Sequence, residues 1–330
     1  MRIETDQEQR ELLEVEQART QLEALGFWSI DSRADETEIV TIPEVNRTRV
    51  GLVREEGMFP ILDRNGLWRE AGVASKFLGE YEDNPDLIRQ MIQHSLNKRV
   101  GHSIRFTGHY AGVTSVAEPR GVWFEPLRVF DIAIEELGGK VEGMKLDRKG
   151  LSMRFVGDYS KERPRDAGDV LHAGLVIKMN GNVQIGPYCY QMVCSNGLMR
   201  MYERLQIADS LDMVATEIRS ACQAQHAASR ELTDNMITLD EQPFTGNREQ
   251  TLVRLGQTTG LPSRFIAKAL EKLPELPEDA TMFDMTALVT RMARDLKRSE
   301  KIQMRLGSMV RHLSTEHARC SHCGTELPEN

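Results

Sequence analysis

The stretch GDVLHAGLVIKMNGNVQIGPYCYQMVCSNGLMRMYER, Gly168 to Arg204, decides the fold. Val170 to Met179 is apolar and rich in β-branched residues, the composition of a buried strand. Asn180-Gly181-Asn182 follows, and these residues tolerate the positive φ that a tight hairpin needs. Val183 to Val193 returns as the partner strand. Gly186 and Pro187 mark a bulge or an edge there, because proline has no N–H to give to a ladder. Cys194-Ser195-Asn196-Gly197 breaks the strand, and Ser195 or Asn196 is placed to cap a helix from near Leu198. The stretch therefore reads as strand, turn, strand, sharp corner, helix.

Working outward, Thr5 to Leu25 reads as a helix with a partial apolar stripe of Leu12, Leu13, Val15, Leu22 and Leu25, stopped by Gly26. It is either an interaction arm or a cover on the main domain. Ile39 to Pro43 and Val50 to Val53 read as short strands, Asp63 to Gly66 as a turn, and Trp68 to Leu78 as helical or irregular. Asn84-Pro85 starts a helix that runs from Asp86 to about Leu96. Ile104 and Phe106 then alternate with Ser103, Arg105 and Thr107, the period of a half-exposed strand. Pro126 opens a helix that ends at Leu137 before Gly138-Gly139. Lys140 to Lys145 and Leu151 to Val156 form a hairpin, and Asp158 to Asp169 is a polar loop. Beyond the corner, helical patterning runs from Leu198 to about Asn235, then Arg248 to Gly256, Ser263 to Leu273 with Ser263 as cap, and Thr281 to His312.

This order predicts an α+β fold, an antiparallel β-sheet core with hairpins packed by helices and a mostly helical C-terminal region. The expected units are an acidic N-terminal helix (1–38), an α+β core (39–205), a helical region (206–311) and a knuckle-like tail (312–330).

The 330 residues are 40% hydrophobic and 28% charged, enough for a substantial core in a water-soluble chain. No apolar run approaches the ~20 residues of a membrane span. The acidic N-terminus argues against a secretory signal, and five cysteines in a chain this long make no disulfide framework. A reducing bacterial cytoplasm is the expected compartment. The net charge of −8 is unevenly spread, acidic over residues 1–40 and basic over 286–319. Either these are solvated helix faces that pair with each other, or the basic end is a binding surface.

The chain has no GxxxxGK[ST], no dinucleotide fingerprint, no GxSxG elbow and no His-Glu-x-x-His, which disfavours an ATPase or a common hydrolase. Cys194, at the start of the expected helix, is either a thiolate nucleophile or, more plainly, a small buried residue at a tight corner. Cys189 and Cys222 read as packing residues. Cys320 and Cys323 form a Cys-x₂-Cys-Gly knuckle, and His317, His322 or His312 is placed to add imidazole, a half-specified structural Zn²⁺ site to be completed by histidines or by a second subunit. The plain alternative is a tail with two free thiols. Tyr188 and Tyr190 share a strand face and serve either as stacking platforms for bases or as half-buried core.

Val193-Cys194-Ser195-Asn196-Gly197-Leu198, after its strand, resembles the phage and plasmid family called domain of unknown function 932, with its Cys-Thr/Ser-Asn-Gly-Leu corner. Trp123 to Leu127, Gly150 to Phe155 and Thr286 to Ala293 extend the resemblance over roughly Gly121 to Gly307. The family implies a fold and no chemistry. A compact antiparallel core without a nucleotide motif is also similar in architecture to the single-strand annealing recombinases RecT and Redβ. That likeness implies ATP-independent binding of single-stranded DNA by an oligomer, with host or phage recombination proteins as partners. Lys98, Arg99, Arg105, Lys178, Arg200 and Arg204 are then the phosphate contacts, Tyr188 and Tyr190 the platforms, and the acidic helix docks on a neighbour's basic C-terminal helix. The alternatives are a protein-binding regulatory module that uses the acidic helix or the knuckle, and an enzyme centred on Cys194.

Overall fold

The computed structural model describes residues 12–44, 47–74, 81, 83–119, 122–147, 150–179, 182–191, 197–199, 203–204, 211–241, 244, 246–293, 296 and 299–316. The fold is α+β, built on three antiparallel sheets.

The first two sheets belong to an N-terminal module. Strands β1 (Trp28–Arg33), β2 (Ile39–Glu44), β3 (Arg47–Arg54) and β4 (Gly57–Pro60) are followed by helices α2 (Arg64–Ala71) and α3 (Pro85–Asn97), and by β5 (Ser103–His109) and β6 (Gly112–Ala117). The sheets order as β1-β5-β6 and β2-β3-β4. Ile104 and Phe106 are buried and Ser103 is exposed, as expected of β5, but the alternation stops there: Arg105 is half-buried and Thr107, Gly108 and His109 are buried. Asn84 accepts from the Leu87 N–H at 3.1 Å, so the cap and Pro85 start α3 where the sequence places it. The expected turn at Asp63 to Gly66 is instead a helix start. The Asp63 carboxylate accepts from the Gly66 N–H at 3.0 Å and from the Val116 N–H at 3.0 Å, tying α2 to β6. Leu67, Trp68, Ile92, Leu96, Phe106 and Val116 close a core of their own, so the stretch expected to be one core divides near residue 118.

The central sheet is ordered β11-β10-β9-β8-β7, with β7 Lys140–Asp147, β8 Gly150–Arg163, β9 Asp166–Met179, β10 Val183–Gln191 and β11 Gly197–Met199. A short β12 (Glu203–Arg204) also pairs with β10. The expected polar loop from Asp158 to Asp169 is strand on both sides of a two-residue turn at Pro164-Arg165, since β8 and β9 are each 14 residues long. The expected helix at Leu198 is also corrected. Gly197 to Met199 turns back antiparallel to Tyr190, Cys189 and Tyr188. Cys194, Ser195 and Asn196 lie outside the described residues. Pro187 is paired in register with Leu175 of β9 and lies between the β10 residues that pair with β12 and those that pair with β11.

One face of this sheet is covered by α4 (Pro126–Leu137) and by the 31-residue helix α5 (Leu211–Glu241). Helix α1 (Val15–Glu23) buries Ala18 and Leu22 in the same core, and Arg19 pairs with Asp131 at 3.2 Å. The described part of the acidic helix is thus a cover on its own chain. The C-terminal half of α5 enters a second core with α6 (Arg248–Thr259), α7 (Ser263–Lys272), α8 (Met282–Ala293) and α9 (Ser299–Glu316). The block expected over Thr281 to His312 is these last two helices. Helix α6 runs through Gly256 to Thr259 with Gly260 as its C-cap, and Pro262 rather than Ser263 takes the cap position of α7.

Candidate nucleic-acid interface

Strand alternation sorts the central sheet's side chains. Met153, Phe155, Leu175, Ile177 and Ile185 face α4 and α5. Ser152, Arg154, Val176, Lys178, Gln184, Tyr188 and Tyr190 take the opposite face. The register lines up Lys145, Ser152, Lys178, Gln184 and Arg204 across five strands, β7, β8, β9, β10 and β12. At about 4.8 Å per strand this row spans about 19 Å. Lys145 is exposed, and Ser152, Lys178 and Gln184 are half-buried. Arg154, two residues along β8, reaches Glu142 at 3.4 Å and lies 5.7 Å from the Tyr188 ring centre. Lys178 is ion-paired with Glu300 at the start of α9.

The expected stacking platforms are corrected. Tyr188 and Tyr190 do share the face, but their exposures are 0% and 2%, with Val156, Val176 and the flanking Leu12 and Met304 packed around them. Burial, and secondarily Glu142, pushes the Tyr188 phenol well above its ordinary range. Neither ring offers a π-face to a base.

Lys98, Arg99 and Arg105 sit in the N-terminal module, apart from this row. Lys98 is exposed at the end of α3. The Arg99 guanidinium fills the space that a Cβ on Gly72, the C-cap of α2, would need. Arg105 grips Asp31, directly opposite it on β1, through two bonds of 2.6 and 2.7 Å. Of the eight expected contacts, the register groups Lys178, Tyr188, Tyr190 and Arg204. Arg200 and the tail residues His317, Cys320 and Cys323 lie outside the described residues. Among the described residues, no group of three or more His, Cys, Asp and Glu forms a metal cluster. Burial pushes the Cys189 and Cys222 thiols up to about 12, so they remain protonated packing groups. Among the described residues, no helix is long and apolar enough to cross a membrane.

Sequence reasoning missed two features. Lys145 and Arg154 join the row only through the β7–β8 register. The second is a buried polar knot at the tip of the β8–β9 hairpin. Arg163 donates to Asp169 at 2.9 Å, to Asp240 at 2.7 Å and to Asp166 at 3.3 Å, and lies 4.0 Å from the Phe283 ring centre. Gln191 donates to Asp169 at 2.7 Å. Burial works against the Arg163 charge, but Asp240 and Asp169 outweigh it and hold the guanidinium above its ordinary range. The knot fastens the hairpin to the end of α5 and the start of α8; it is a structural clamp. Comparison with protein-family models, curated proteins and solved structures found no match.

Proposed function

We propose that the chain is an ATP-independent single-stranded DNA binding and annealing protein of phage or plasmid type that works as an oligomer. The strand runs along the row from Lys145 to Arg204, on the face of the central sheet opposite α5 and beside the part that Leu12 and Met304 cover. The observation that carries this reading is the row of Lys145, Lys178 and Arg204 positions across five strands, with Arg154 beside it. Cations spaced along a sheet suit an extended phosphate backbone. Because the tyrosines are buried, affinity comes from phosphate contacts, so binding is sequence-tolerant and falls steeply with salt.

Glu300 occupies Lys178 in the free protein, and a phosphate must displace it. Anisotropy of a labelled oligo-dT tests this arrangement. Lys145→Glu with Lys178→Glu weakens binding, and Glu300→Gln strengthens it. Equal affinity in all three proteins contradicts the reading. We also propose that Cys320, Cys323 and His317 hold a structural zinc ion.

A further inference from the structure

We infer that α6 and α7 form a helix-turn-helix that docks on duplex DNA, with α7 as the helix that enters the major groove. The turn is three residues, Gly260, Leu261 and Pro262, and Gly260 has φ +76°. Two helices joined by a short glycine-containing turn are the framework of this motif. A Cβ on Gly256 would lie 2.7 Å from Ile266 Cγ1, so the glycine lets α6 and α7 approach closely. Leu252, Leu255, Leu261, Ile266, Ala269 and Leu273 are buried in the C-terminal core, which fixes the outward face of α7. Arg305 of α9 donates to the Thr259 carbonyl at 3.2 Å and so holds the turn against the body.

The outward face carries Ser263, Arg264, Ala267 and Lys268 over its first two turns, all exposed. A recognition helix reads bases with its N-terminal residues, and small side chains there let the backbone approach the groove. Arg264 and Lys268 flank the Phe265 ring, at 4.9 and 5.6 Å from its centre. Among the described residues, Arg264, Lys268 and the exposed Arg254 of α6 form no ion pair. Lys178 and Arg105, by contrast, are each paired with a carboxylate. Cations without a carboxylate partner on the exposed face of α7 match the phosphate-lined major groove, whose width admits an α-helix. Glu271 lies further along the same helix, towards its C-terminal end. This surface is separate from the sheet row and takes a different form of DNA.

The test is anisotropy of the full chain with a labelled mixed-sequence DNA duplex at low salt, run beside labelled oligo-dT. Arg264→Ala with Lys268→Ala lowers duplex affinity by about tenfold or more, and the salt slope falls by about 2. Binding to oligo-dT is unchanged. Lys268→Gln alone, a smaller surface change, carries the test if the double variant melts early. Two results overturn the inference: no duplex binding by the wild type, which leaves α7 as a packing or protein-contact helix, or equal duplex affinity in wild type and variants. Failure of oligo-dT binding with duplex binding intact would count against the sheet-face reading alone.

Discussion

Arg163 holds three elements with one guanidinium. Its partners Asp169 and Asp240 have side-chain exposures of 1% and 0%, so each depends on that cation for its charge to be tolerated. Arg163→Ala leaves two buried carboxylates without their cation, a change that typically costs about 3–5 kcal/mol. The urea midpoint should fall accordingly, and Asp240→Asn in the same chain should recover part of the loss. If the midpoint does not move, the knot is not a clamp. Gly256 makes the opposite point about single residues. A glycine inside a helix costs about 1 kcal/mol relative to alanine, so its sequence reads as a helix end. In the structure the helix passes through it, because the missing side chain is what lets Ile266 sit close. Gly256→Val should lower the melting temperature by overpacking that contact, at about 1–3 kcal/mol.

At the scale of elements, what was legible in the sequence followed local pattern. Ile104 and Phe106 alternate with polar neighbours, and Asn84-Pro85 both caps and starts a helix, so β5 and α3 fall where their residues direct. The hairpin of β9 and β10 follows from two apolar runs around residues 180–182. The polar half of β8 was not legible. Tyr159 and Lys161 both bond Asp234 of α5, at 2.6 and 2.8 Å, so their strand is stabilised by a helix residue 75 positions beyond Tyr159 in sequence. The return strand β11 was hidden for a related reason: Leu198-Met199 suits a helix start as well as a strand, and only pairing with β10 decides. The candidate row was half legible. Lys178 and Arg204 stood out as cations, but their alignment with Lys145 depends on register.

The same elements set a pH response. Burial lowers the pKa of His109 on β5, His172 on β9 and His226 on α5 below the ordinary 6.5. The unfolded chain then binds more protons than the folded one, so stability rises with pH. Their contribution is fully present above about pH 6.5 and is lost as pH falls through the lowered folded values. The melting temperature should therefore drop between about pH 7 and about pH 5, and His226→Gln should flatten that drop. A pH-independent melt would contradict the assignment of neutral, buried imidazoles.

At the scale of the molecule, three large hydrophobic cores and a small fourth cluster on the sheet face opposite α5 organise the described residues, and the long helix α5 joins two of the large ones. The sheet face opposite α5 and the outward face of α7 belong to different cores. If both proposals hold, one chain would offer separate surfaces to single-stranded and to duplex DNA. The tail adds a prediction of its own: purified protein should carry close to one zinc per chain by elemental analysis, and Cys320→Ser with Cys323→Ser should abolish it without moving oligo-dT affinity. Metal-free wild-type protein would remove the knuckle from the account.

The most direct measurement of the central claim is annealing itself. Two complementary labelled DNA strands are mixed with the protein in the absence of ATP, and duplex formation is followed by energy transfer. The account predicts annealing faster than the spontaneous rate, suppressed by added salt and lost in Lys145→Glu with Lys178→Glu. An unchanged spontaneous rate, together with no binding to oligo-dT at low salt, would contradict it.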